Sequence, residues 1–100
     1  MAAVLYALYH RPPDPAAFLD HYRSVHAPLA EAMPGLIGFS HSLVAQGILG
    51  RGDWFYLALM RFADREALSA ALASPQGALA ARDLARFARN LVELFVVEED

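Results

Sequence analysis

Apolar positions along this chain switch between two spacings, and the switches mark its elements. Ala3 to Tyr9 is a short run rich in Val, Leu and Tyr, closed by Arg11-Pro12-Pro13; its length and the prolines predict a strand. Asp14-Pro15 then offers a helix N-cap followed by proline at the first helical position. Beyond it Phe18, Tyr22, Val25, Leu29 and Met33 recur at helical spacing and define one apolar stripe. Pro28 interrupts that helix: it has no N–H for the Ser24 carbonyl, and its ring crowds that carbonyl. A kink or break is therefore expected near Val25–Ala27, and Pro34-Gly35 ends the helix. Leu36 to Val44 alternates, with Ile37, Phe39, His41 and Leu43 on one side, and reads as a second strand. Gln46 to Asp53 is a glycine-bearing hairpin loop, and the nearly continuous apolar run Trp54 to Phe62 reads as a central strand. Asp64 caps a further helix with Leu68 and Leu72 on its inner face. Ser74-Pro75 restarts it, to run to about Phe87. Leu91 to Glu98 closes the chain as a fourth strand.

The predicted order is β-α-β-β-α-β, a ferredoxin-like α+β arrangement in a single domain over residues 1–100. Helices can cover only one face of its four-stranded antiparallel sheet. Yet Trp54–Met60 and Leu91–Val97 carry large apolar groups on both faces, interrupted mainly by Glu93. An apolar second face marks an interface, and a second copy of the chain laying its sheet face-on is the economical cover. A homodimer follows from pattern alone.

Composition sharpens this picture. The apolar fraction is 57% and the charged fraction 19%, which excludes disorder and hints at more apolar surface than one small monomer hides. A net charge of −3 gives no electrostatic footprint for nucleic acid or for an anionic membrane. All eight basic residues are arginine, a usage that points to base composition of the genome rather than to function. Cysteine is absent, so disulfides, thiolate nucleophiles and cysteine metal sites are excluded together. No apolar run approaches the ~20 residues of a membrane span, and the start Met-Ala-Ala-Val lacks signal-peptide features, so a cytoplasmic protein is expected.

Several segments together resemble a known family. Leu5-Tyr6, Pro12 to Phe18, His21-Tyr22-Arg23-Ser24-Val25-His26-Ala27-Pro28-Leu29 and Met33-Pro34-Gly35-Leu36 are similar to the EthD family, named for ethyl tert-butyl ether degradation. Ala73-Ser74-Pro75-Gln76-Gly77 resembles a further stretch of that family, with Gln76 where a Glu is common. The resemblance spans nearly the whole chain and implies a dimeric α+β barrel. It implies little about chemistry, because that superfamily includes cofactor-free monooxygenases, polyketide cyclases, lactone isomerases and haem-handling proteins.

Four histidines carry the candidate chemistry, being the side chains that titrate near neutral pH. At about 100° per residue, His21 and His26 fall at opposite borders of the apolar stripe. From the residues alone His26 supports the kink by bonding a freed backbone group; the resemblance, which places a recurrent histidine there, implies a general acid or base. His41 shares its strand face with apolar neighbours and needs a hydrogen-bond partner, either as a core or interface residue or as a secondary catalytic candidate. His21 is expected at the surface and His10 facing solvent. Tyr6, Tyr22, Phe39 and Tyr56 are candidates to line an apolar pocket for a planar ligand, with tyrosine hydroxyls as polar handles; the rival role is plain core and dimer interface.

Other chemistries find less. His21 and His26 stand about 140° apart on a regular helix, too far round to share one ion, so no metal site is expected. No cofactor is expected; one histidine suffices for haem, but nothing in the sequence speaks for it. Ser40-His41-Ser42 lacks a nucleophile elbow, and Gly47 to Gly52 has the wrong spacing for a dinucleotide fingerprint. Two function classes stay open. One is a cofactor-independent oxygenase or cyclase acting on a small aromatic or polyketide-like compound; the other is a non-catalytic small-molecule binder or accessory subunit.

Overall fold

Three short side chains decide where helices begin. Asp14 accepts from the Ala17 amide at 3.1 Å, Asp64 from that of Ala67 at 2.8 Å, and Ser74 Oγ from that of Gly77 at 3.0 Å. Each satisfies an amide that a helix start leaves unpaired. In the computed structural model, which describes residues 1–100, strand β1 (Ala3–His10) leads into α1 (Pro15–His21), a π-helical turn (Tyr22–His26) and α2 (Ala27–Glu31). Strands β2 (Gly38–Leu43) and β3 (Trp54–Phe62) follow, then α3 (Arg65–Ala73), α4 (Pro75–Phe87) and β4 (Val92–Glu98). The sheet is antiparallel in the order β2-β3-β1-β4, the ferredoxin-like α+β topology expected from the sequence. No helix is long and apolar enough to cross a membrane.

The interruption at Pro28 is a widened turn rather than a bend out of helical geometry. His21, Tyr22, His26 and Ala27 keep right-handed helical dihedrals, and the Ala27 amide reaches back five residues to the Tyr22 carbonyl. That extra residue corrects the expected apolar stripe. Val25 is exposed and Leu29 half-buried, while His26 and Ala30 take their places beside Phe18, Tyr22 and Met33 in the core. A second correction lies in α3, where Leu68 and Ala71 are buried and Leu72 overhangs with nearly half its surface free.

Strand pairing sorts the sheet into two faces. Ala3, Leu5, Ala7 and Tyr9 of β1 pair with Phe62, Met60, Ala58 and Tyr56 of β3 on the helix-covered face. On the opposite face Tyr6 and Leu8 meet Leu59 and Leu57, and Tyr6 stacks on Phe95 with centroids 5.3 Å apart. This outer face is uncovered in the single chain, with Phe95 45% and Val97 36% exposed.

Candidate functional site

Between the sheet and the helices lies a cavity of about 70 Å³, lined chiefly by apolar side chains from β1, β3, α4 and β4. Its polar wall is His26 with the neighbouring Tyr9 and Tyr22. A cavity of ~150 Å³ is enough to hold benzene, so this one takes only the head of a larger ligand or a smaller molecule whole. Leu72 of α3, Leu84 of α4 and Leu94 of β4 also line it, and Leu94 is half exposed.

His26 does not bond the backbone freed at Pro28. Its Nδ1 lies 2.9 Å from Oδ2 of Asp83 on α4, and both side chains are nearly sealed from solvent. An ionised carboxylate only accepts, so Nδ1 carries the proton and donates it. Nε2 is then the lone-pair nitrogen, on a ring that borders the cavity. Burial pushes the His26 imidazolium below the ordinary histidine value of 6.5, and His21 adds to that; Asp83 opposes both without prevailing. The ring is neutral at pH 7, as a base must be.

His21 is not a free surface residue. Its Nε2 donates to Asp83 at 2.9 Å to Oδ1 and 3.0 Å to Oδ2, with about a third of its side chain exposed. The π-turn makes this possible. Closing the backbone ring over five residues brings positions five apart toward one face, so two histidines that a regular helix would separate meet the same carboxylate. The imidazoles are spent on Asp83, and no group of His, Asp and Glu side chains is disposed to hold a metal ion.

Tyr22 stands between two histidines, its ring 5.3 Å from that of His26 and 5.2 Å from that of His41. Burial drives both the Tyr22 and Tyr9 phenols far above their usual range, so each stays protonated and can act only as a neutral hydrogen-bond group. His41 finds the partner its apolar face demands: its Nδ1 is hydrogen-bonded to Tyr56 Oη at 2.6 Å. The His41 ring lines an open groove with Phe39 and Glu31, and Tyr22, which packs on that ring, lines the cavity. Thus Tyr22 joins His26 at the cavity, and Tyr56, His41 and Phe39 form an adjoining row. Tyr6 is separated from all of them by the sheet. His10 is partly exposed as expected, bonded to Glu93 at 2.8 Å and packed on Trp54 at 4.3 Å.

Sequence reasoning missed Asp83, which nothing local marks, and Tyr9, which strand alternation from Leu5 and Ala7 would have placed on the inner face.

Comparison with known proteins adds a family frame. The model of the EthD domain matches residues 10–90. An uncharacterized 11.0 kDa protein of the thcB-thcC intergenic region of Rhodococcus erythropolis is 33% identical over 93 residues, 93% of this chain and 90% of that one. The crystal structure of an ethyl tert-butyl ether degradation (EthD) family protein from Bacillus halodurans is 32% identical, covers both chains in full and superposes with a TM-score of 0.94. The same fold recurs in SnoaB, a cofactor-independent oxygenase from Streptomyces nogalater, at 19% identity and a TM-score of 0.63 over 98% of this chain and 91% of that one.

Proposed function

Because the chain belongs to the EthD family, we propose that it is a cofactor-independent enzyme, a single EthD-like domain over residues 1–100 that works as a homodimer. Its reaction is proton transfer on a small apolar molecule, or on an aromatic one of which only the head enters the cavity, with His26 as general base. The observation that carries this reading is the Asp83–His26 pair at the cavity: a carboxylate holding Nδ1–H at 2.9 Å behind a ring kept neutral by burial. Such a pair sets the tautomer and steadies the imidazolium that forms. Nε2 takes a proton from an acidic C–H or O–H of the ligand, leaving an enolate or phenolate. Tyr9 and Tyr22, which also line the cavity, donate a hydrogen bond to that oxygen. In a cyclisation the anion attacks a carbonyl carbon of the same molecule, and the proton returns from His26 to the new alkoxide. In an oxygenation the co-reactant is dioxygen, which the carbanion reduces to a carbon-bound peroxide; the proton from His26 makes it a hydroperoxide, and breaking its O–O bond leaves the ketone and releases the other oxygen as water. The second course is favoured by the likeness in fold to SnoaB.

The lining supports the ligand class, since the cavity offers no cation to an anionic group and is mostly apolar. The outer sheet face, with Tyr6, Leu57, Leu59, Phe95 and Val97, supports the homodimer. The test is a panel of small neutral phenols, quinols and lactones screened by thermal shift, followed by turnover under air and under argon. His26→Asn is expected to bind a hit as the parent does and to lose about 10²–10⁴-fold in turnover. A mutant as active as the parent would sink the base assignment, and a parent that binds hits but turns none of them over would put the non-catalytic binder in its place.

A further inference from the structure

His21 makes the most unusual contact in the molecule, and the base assignment does not use it. Asp83 projects from α4 and has two rotatable side-chain bonds, so a single partner leaves its carboxylate free to turn. Two partners remove that freedom. We propose that His21 is a positioning residue of this site: shared between both Asp83 oxygens at 2.9 and 3.0 Å, its Nε2–H holds the carboxylate so that Oδ2 accepts Nδ1–H of His26, leaving the His26 Nε2 as base. The proposal rests on the reading of His26 as a base, but the geometry it concerns exists without any ligand.

Three features carry it. The two histidines sit five residues apart around a π-turn whose Ala27-to-Tyr22 hydrogen bond also reaches back five residues, one position further on, so the backbone irregularity and the shared carboxylate overlap. His21 is itself fixed, its ring packed on Phe87 at 4.6 Å. And His26, 7% exposed, has no other side-chain acceptor for Nδ1, so the state of its ring follows the orientation of Asp83. An ordinary surface ion pair would have none of this consequence; its loss is worth little and changes nothing at a distance.

The experiment is nitrogen NMR of the His26 ring in the full chain, uniformly labelled and free of ligand, in the parent and in His21→Leu and His21→Gln. The parent is expected to show one tautomer, protonated at Nδ1. In His21→Leu the Nε2–H tautomer is expected to rise to a population comparable with the first. His21→Gln, which keeps an N–H donor, should restore most of the parent pattern. A single Nδ1–H tautomer in His21→Leu would overturn the proposal, as would a parent ring protonated at Nε2. Should His21→Leu fail to fold, His21→Asn decides in its place: its shorter donor cannot span both oxygens, so a mixed ring supports the proposal and an unmixed one refutes it. Because this readout needs no turnover, positioning stands or falls separately from catalysis. A mixed ring in an inactive protein refutes only the enzyme.

Discussion

Asp83→Asn tests the centre of the site with a change of one heavy atom and one charge. The carboxylate accepts from both histidines, at 2.9 Å from His26 and at 2.9 and 3.0 Å from His21, while only about a tenth of its side chain is exposed. An asparagine has one acceptor oxygen and one donor amide, so it can accept from one ring and must donate to the other. Either His21 or His26 has to move its proton to the far nitrogen. If His26 does so, the nitrogen at the cavity becomes a donor and the base is gone. Hydrogen bonds to a charged group contribute ~1.5–3 kcal/mol and neutral ones ~0.5–1.5, so exchanging two of them costs about 2 kcal/mol. In a domain of this length each kcal/mol moves the melting temperature by roughly 4–8 °C, which predicts a fall of about 10 °C or somewhat more. Thermal denaturation followed by circular dichroism measures the loss, and ring-nitrogen NMR reports the tautomers. A variant that melts with the parent and keeps both rings unchanged would show that Asp83 is a spectator.

Acid should weaken the fold through His26. Its folded value lies below the ordinary 6.5, so between the two the unfolded chain holds more protons; stability is full above about pH 6.5 and falls toward the folded value, by at most ~1.4 kcal/mol per pH unit, and His26→Asn should flatten that slope in urea titrations at stepped pH. Leu59→Asp places a charge on the outer sheet face opposite Tyr6, and light scattering should then read a mass near the 10.9 kDa of one chain where the parent reads twice that. A parent that runs as a monomer at micromolar concentration would remove the homodimer. Gly77→Ala forces a methyl to 2.2 Å from the Ala71 carbonyl where α4 starts against α3, and should cost about 1–3 kcal/mol in chemical denaturation.

How much of this was legible in the sequence depended on how local each signal is. Asp14, Asp64 and Ser74 each cap the helix they precede, because the cap and the amide it satisfies lie three residues apart. The strands could be read because their alternation is a property of neighbours. The apolar stripe of the first helix could be read at Phe18, Tyr22 and Met33 but not between Tyr22 and Met33. A period of 3.6 carried onward selects Val25 and Leu29, and the inserted residue of the π-turn moves burial to His26 and Ala30. The site was half visible: His26, His41, Tyr22 and Tyr56 were named and do cluster, but strand parity, applied strictly, separates Tyr6 from them and adds Tyr9. Asp83 carries no signal of its own. It sits on a polar helix 57 residues from His26, and only the packing of α4 against the π-turn reveals what it is for.

The π-turn is where fold and chemistry meet, and Pro28 explains its position. A proline there cannot donate to the Ser24 carbonyl and would strike it if the helix ran on regularly. Widening the turn relieves the contact while keeping the chain helical, and the Ala27 amide bonds Tyr22 in place of a nearer carbonyl. The helix thereby changes frame by one residue. Before the turn it buries Phe18 and Tyr22; after it, the frame that would have buried Val25 instead turns His26 inward. An imidazole enters an apolar wall only if a partner waits there, and α4 supplies Asp83 at that height. His21 stands before the turn in the original frame, and the change of frame brings His26 round to the carboxylate that His21 reaches, so one irregularity accounts for both imidazoles meeting Asp83. A regular helix would have kept the core apolar and left the two histidines on opposite flanks.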